Sequence, residues 1–238
     1  MSNIKLHSKV EVADYIWQHS HFLHSCLVQC EKLYQEEKGV SCALVLFNCL
    51  ENISKSVVND YDSSLYDIFN KLYRQNIITK KEYEFLNEGD FCVRKIRNLY
   101  AHKNIATIYF WGNFEGKEIL WPLTENETSL MIYSQISDIV FNLMIKMVSS
   151  EFIDSVREKF QAPLDEAIDE CTIRYKILTS KELLLLKGYP EDYISDDLDI
   201  PEDVKIRIAD NSPDININIH FYTQIINELK RKTSNGKE

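Results

Sequence analysis

The 238-residue sequence predicts a mostly α-helical fold, and three observations carry that expectation. Apolar residues recur at helical spacing through most of the first 150 positions, six Gly and five Pro leave few turn signals for a β-rich chain, and a single stretch, 107–121, is aromatic and β-branched around a glycine turn. Hydrophobic residues at 45% and charged residues at 27% suit a globular chain with a real core, which sets aside disordered and collagen-like classes. The length fits one main domain with an appendage, placed at 1–149 and 150–238. No apolar run reaches the roughly 18 residues that cross a bilayer, and the start of the chain lacks a signal-peptide core, so a cytoplasmic protein with no membrane contact is expected. In a reducing compartment the six cysteines read as thiols, with Cys42 and Cys49, seven apart among Ala43, Leu44, Leu46 and Phe47, filling a buried helical face.

The elements follow in order. Ile16, Phe22, Leu23, Leu27 and Leu33 predict one long amphipathic helix over Val12–Glu37, ended by Gly39. Ser41 can cap a second helix to about Asn59, the most apolar of the chain. Short helices are expected near 63–75 and 80–87, then one from Asp90 through Ile96 and Tyr100, with Asn104 in the left-handed conformation at its end. A β-hairpin occupies 107–121, closed by Pro122, and Thr124 with Glu127 reads as a capping box opening a helix through Met147. Beyond Ser149 the periodicity weakens: a helix near 151–176, and a short one from Lys181 capped by Gly188 before Pro190. Glu191–Asp203 holds seven acids in thirteen residues and reads as a solvated loop, the alternative being an acidic patch that mimics RNA or binds as an antitoxin would. After Ser212-Pro213-Asp214, both strand and helical spacing fit Ile215–Leu229; the N-cap and proline favour the helix.

A net charge of −10 argues against general nucleic-acid binding, yet its distribution is uneven. Residues 1–149 carry 15 Lys and Arg against 18 Asp and Glu, and 150–238 carry 12 against 19, so most of the acidity is C-terminal. Within the near-neutral part, Arg94, Lys95, Arg97 and Lys103 place four cations in ten residues, where an anionic substrate can sit. Glu51, set in the most apolar helix, needs a partner, with Arg94 or Arg97 the candidates. His21 and His24 share a helical face, but two ligands do not close a metal site, and neither His19 nor Cys26 adds to them, so no metal or cofactor is expected. Phe110, Trp111 and Trp121 can stack on bases or cover the core, and core cover is preferred. Phosphate-binding glycine loops, zincin motifs and nucleophile elbows are absent from the sequence.

One motif carries chemistry. Arg97-Asn98-Leu99-Tyr100-Ala101-His102 reads R-N-x-x-x-H at the end of a predicted helix. His102 suits a general base that takes the 2′-hydroxyl proton of RNA, since neighbouring cations favour its neutral form. Arg97 suits a cation gripping phosphate oxygens, and Asn98, one turn before His102, can orient the imidazole or bind phosphate. Arg97 and His102 lie about 140° apart around a straight helix, so the arginine must reach around or the helix must end there.

This motif resembles the active site of the HEPN superfamily, helical bundles that include many metal-independent ribonucleases of prokaryotic defence and toxin–antitoxin systems. The resemblance covers about residues 1–149. It implies a HEPN-like antiparallel bundle with an inserted hairpin and a helical C-terminal extension, acting as an endoribonuclease through Arg97, His102 and Asn98, with Arg94, Lys95 and Lys103 binding RNA. It further implies a homodimer bringing two motifs across one cleft, and an antitoxin or regulatory protein as partner. A catalytically silent scaffold or immunity subunit is the alternative. In HEPN toxins paired with nucleotidyltransferase antitoxins a tyrosine stands two residues after the histidine; Asn104 is there instead, so control by tyrosine adenylylation is not implied.

Overall fold

The computed structural model describes residues 6–114, 117–150, 164–191, 194 and 200–215, with the backbone alone for His102, Asn113, Phe114, Lys117 and Glu118. The chain divides into two compact units, Met1–Lys176 and Ile177–Glu238. The first thus extends past residue 149, where the sequence reading ends the bundle. The described residues are mostly helical with a small three-stranded sheet.

In the first unit, α1 (Lys9–His19), α2 (His21–Gln35), α3 (Gly39–Val57) and α7 (Asn126–Ser149) pack into a bundle, and α3 and α7 form its centre. Leu46, Leu50 and Ile53 of α3 meet Ile132, Ile136, Val140 and Leu143 of α7 in one buried core, with Cys42 and Cys49 sealed in it as expected. The predicted long first helix is broken at Ser20, whose extended backbone stops α1 while its hydroxyl accepts from Leu23 N at 3.3 Å and starts α2. Periodicity misses this because one serine serves both ends without disturbing the apolar spacing.

Gly39 does not end α2. That helix closes with Glu37 in the left-handed region at φ 55°, its N–H donating to Tyr34 O and that of Lys38 to Leu33 O. Gly39 instead begins α3, two residues before the expected cap Ser41, because the start of α7 lies directly against it: a Cβ would overlap the Asn126 carbonyl and sit 2.7 Å from Leu130 N. The Asn126 side chain accepts from Gly39 N at 2.7 Å and donates to Glu37 O at 2.7 Å, tying the α2–α3 turn to α7. Asn126 opens α7, and Glu125, not Thr124, is its N-cap without a side-chain bond, so the expected capping box is absent.

Three short elements flank the bundle: α4 (Leu65–Arg74), α5 (Lys80–Tyr83) continued by a π-helical turn Glu84–Glu88, and α6 (Val93–His102). Glu82, buried in α5, takes Lys146 of α7 on both carboxylate oxygens at 2.6 and 2.9 Å, while its backbone serves the Thr79 cap. The hairpin forms as expected from β1 (Ile108–Phe114) and β2 (Lys117–Pro122), with Phe110 opposite Trp121 and Tyr109 opposite Pro122. Phe110 is core; Trp111 and Trp121 are partly buried. Where a helix to 176 is expected, α8 (Leu164–Glu170) stops early and β3 (Tyr175–Ile177) adds a third strand beside β1, with Trp111 N donating to Arg174 O at 3.1 Å. The start of that predicted helix, 151–163, lies outside the described residues.

In the second unit, α9 (Ser180–Leu186) is capped by Gly188 at φ 89°, as read, and packs on α10 (Glu202–Asn211). Lys187 Nζ donates to the carbonyls of Ala209, Asp210 and Ser212 at 2.8, 2.6 and 2.9 Å, closing the end of α10 with a cation. Most of the acidic stretch 191–203 and the predicted helix after Ser212 fall outside the described residues.

Candidate functional site

The site is built on α6. This helix forms because Val93, Ile96 and Leu99 recur at helical spacing and bury against the bundle at 1 to 3% exposure, which turns Arg97 and Asn98 toward the rim. It ends at His102, where Lys103 takes extended backbone at φ −117° and ψ 158°. Arg97 and His102 both lie within α6, so the roughly 140° between their positions on a straight helix stands, and the helix stops directly after His102. Asn104 is not left-handed as expected; at φ −72° it caps the short turn Ile105–Thr107, its side chain accepting from Ala106 N at 3.2 Å. This turn leads directly into β1.

Arg97 is held by α3. Its Nη2 donates to Glu51 Oε2 at 2.8 Å and its Nη1 to Asn98 Oδ1 at 3.2 Å, with the side chain 31% exposed. Glu51 therefore finds the partner the sequence demanded, and of the two candidates it is Arg97. On its other oxygen Glu51 takes Lys55 at 2.9 Å, one turn along α3. Burial works to raise the Glu51 carboxyl, but the hydrogen bond and charge of Lys55 together with Arg97 outweigh it and hold the group below the usual carboxylate range. Sequence reasoning missed Lys55, although its spacing of four from Glu51 on a helix was a readable signal.

The remaining cations divide. Arg94 serves the chain itself: its Nε donates to Asn87 Oδ1 at 2.6 Å, its Nη2 to Asn87 O at 3.0 Å, and its guanidinium lies 5.2 Å from the Tyr66 ring centre. It thereby fastens the π-helical turn to the start of α6. Asn87 is fully buried, and no short-range pattern announces its part. Lys95 and Lys103 form no hydrogen bond or ion pair with another described side chain, so they are open to an anion. Tyr100, between the motif residues, points inward: burial pushes its phenol up to about 12, and it donates to Ser129 Oγ at 2.9 Å.

The histidines of the first two helices do not converge on a metal. His24 Nδ1 lies 2.8 Å from Ala13 O, linking α1 to α2, His21 stacks on Trp17 at 3.8 Å, and His19 Nε2 lies 3.3 Å from Ser56 Oγ. Among the described residues no group of three metal-ligating side chains exists. Among them, too, no helix is long and apolar enough to cross a membrane.

No family model, curated protein or solved structure matches the chain.

Proposed function

We propose that the chain is a metal-independent endoribonuclease of the HEPN type, with Arg97, Asn98 and His102 as its active residues and Lys95 and Lys103 as its phosphate contacts. The observation that carries this reading is the motif's setting: R-N-x-x-x-H closes a helix of a mostly helical unit, with its arginine presented at the rim by a carboxylate from the central helix. The chemistry then follows from the residue types. His102 takes the proton of a 2′-hydroxyl, the freed oxygen attacks the adjacent phosphorus, and Arg97 offsets charge on the pentacoordinate phosphate. The 5′-oxygen leaves with a proton from an acid, which the His102 of a second copy supplies in a two-fold dimer. The products are a 2′,3′-cyclic phosphate and a 5′-hydroxyl. Defence against phage, or a toxin restrained by a partner, is the biological setting that this reading carries.

A catalytically silent scaffold is favoured by one observation: the Glu51 carboxylate already neutralises much of the Arg97 charge. Incubating the purified protein with total RNA in excess EDTA, beside a His102→Ala control, separates the two. Cleavage by the wild type alone, leaving 2′,3′-cyclic phosphate ends, is the expected result, with a dimer in sedimentation; intact RNA from both proteins speaks for the scaffold.

A further inference from the structure

A cavity of about 510 Å³ opens in the first unit between the π-helical turn, the start of α6 and residues 171–174, which join α8 to β3. That volume falls in the range of small-ligand sites, roughly 300–1,000 Å³. Its floor is apolar, made by the buried side chains of Val93, Ile96, Ile136 and Ile173 and the partly buried rings of Phe85 and Phe91. The exposed side chains that line it are mostly charged, and pairing accounts for some of them: Lys81 takes Asp169 at 2.6 Å, and Lys80 lies 3.6 Å from Glu84. Asp90 and Arg174 are left. Neither forms an ion pair or a side-chain hydrogen bond with another described residue, and they do not pair with each other. Both are held in place all the same. Hydrogen bonds from Gly89 N to Glu84 O at 2.7 Å and from Cys92 N to Gly89 O at 3.1 Å fix the backbone around Asp90, and the Arg174 guanidinium lies 5.2 Å from the Trp111 ring centre.

We propose that this cavity binds a free amino acid with a large apolar side chain, its ammonium on Asp90, its carboxylate on Arg174 and its side chain on the apolar floor. Charge complementarity selects this class. One anion and one cation that do not pair with each other, beside an apolar floor, are matched by a molecule that carries both opposite charges at one end and an apolar body at the other. A simple amine leaves Arg174 unanswered, a simple acid leaves Asp90 so, and glycine leaves the floor to water. Arg174 offers its planar fork to the carboxylate in two parallel hydrogen bonds, and Asp90 accepts from the ammonium. A ligand so held ties the start of α6, the helix of the motif, to the stretch between α8 and β3. Arg97 and Asn98 do not line the cavity, so the site is distinct from the motif itself.

The test is titration calorimetry of the full-length protein with L-phenylalanine, L-leucine and L-tryptophan, with the thermal midpoint as a second readout. Saturable binding of L-phenylalanine, one molecule per chain, and a rise in midpoint with its concentration are expected. Phenethylamine, phenylpropionate and glycine each lack one of the three features and are expected to bind about tenfold more weakly or worse. Asp90→Asn and Arg174→Gln, at exposed positions that spare the core, are expected to melt like the wild type without ligand and each to weaken L-phenylalanine about tenfold or more. Three results overturn the proposal: neither heat nor a midpoint shift from any of the three amino acids, an analogue that binds as tightly as L-phenylalanine, or binding left unchanged by either substitution. None of these readouts depends on ribonuclease activity.

Discussion

Arg97 has part of its charge already committed to Glu51. That carboxylate fixes the direction of the guanidinium and also competes with any phosphate for it, so its removal has opposite effects on stability and on free charge. Glu51→Gln is expected to lower stability by about 1 kcal/mol near neutral pH, the scale of a partly exposed ion pair after solvent screening. The sign of the pH dependence follows from the depressed Glu51 carboxyl. Its contribution is full above the unfolded carboxyl value of about 4.3 and is lost as pH falls through the lower folded value. Urea denaturation should therefore separate the two proteins at pH 7 and bring them together near pH 3; equal midpoints at both would remove the role given to Glu51. At this scale the sequence was informative where spacing is regular. The need of Glu51 for a partner and the place of Arg97 could be read from one helix each. The bond of Arg94 to Asn87 could not, because it crosses a π-helical turn whose five-residue repeat has no apolar signature.

At the scale of elements, four helices end in the same way. Glu37, Asn59, Asn76 and Gly188 each take a positive φ, and the N–H groups of that residue and of the one after it donate back into the end of the helix. Glycine is the residue that pays nothing for this conformation, yet it stands at one of the four, and asparagine, which tolerates it, at two. Glu37 is the strained member. Glu37→Gly is expected to stabilise the protein by about 1 kcal/mol, seen as a rise in thermal midpoint. Gly39→Ala, two residues on, should do the reverse by about 2 kcal/mol or more, since backbone atoms at the start of α7 occupy the place of the new methyl. A Gly39→Ala melt that matches the wild type would mean that α3 and α7 part more readily than their packing implies. These sites also explain what the sequence concealed. Gly39 was read as a helix end because glycine most often ends helices; its use here is close approach, which depends on a residue 87 positions away. The break at Ser20 and the cap at Asn104 escape the sequence likewise, because their capping bonds depend on local backbone rather than on periodicity. The hairpin and the apolar faces of α3 and α7, set by composition and spacing alone, came through.

For the whole molecule, a formal charge of −10 works against RNA, so any binding has to be local and shallow in its salt dependence. Of the four cations at the motif, Arg94, Lys95, Arg97 and Lys103, not all are available for it. Arg94 is occupied with Asn87 and Arg97 is shared with Glu51, which leaves Lys95, Lys103 and part of Arg97 to meet phosphates. Each phosphate neutralised on a single strand contributes about −0.7 to the slope of log affinity against log salt. Three contacts predict a slope of about −2, far from the steep dependence of proteins with broad basic faces. The measurement is fluorescence anisotropy of a labelled single-stranded oligonucleotide with the His102→Ala protein across a salt series. Lys95→Ala and Lys103→Ala should each flatten the slope by about 0.7 while changing affinity alike for all sequences. A slope several times steeper would place the RNA on other basic residues and move the site away from α6. A slope unmoved by either lysine would separate the motif from RNA binding and strengthen the reading of this bundle as a scaffold for a protein partner.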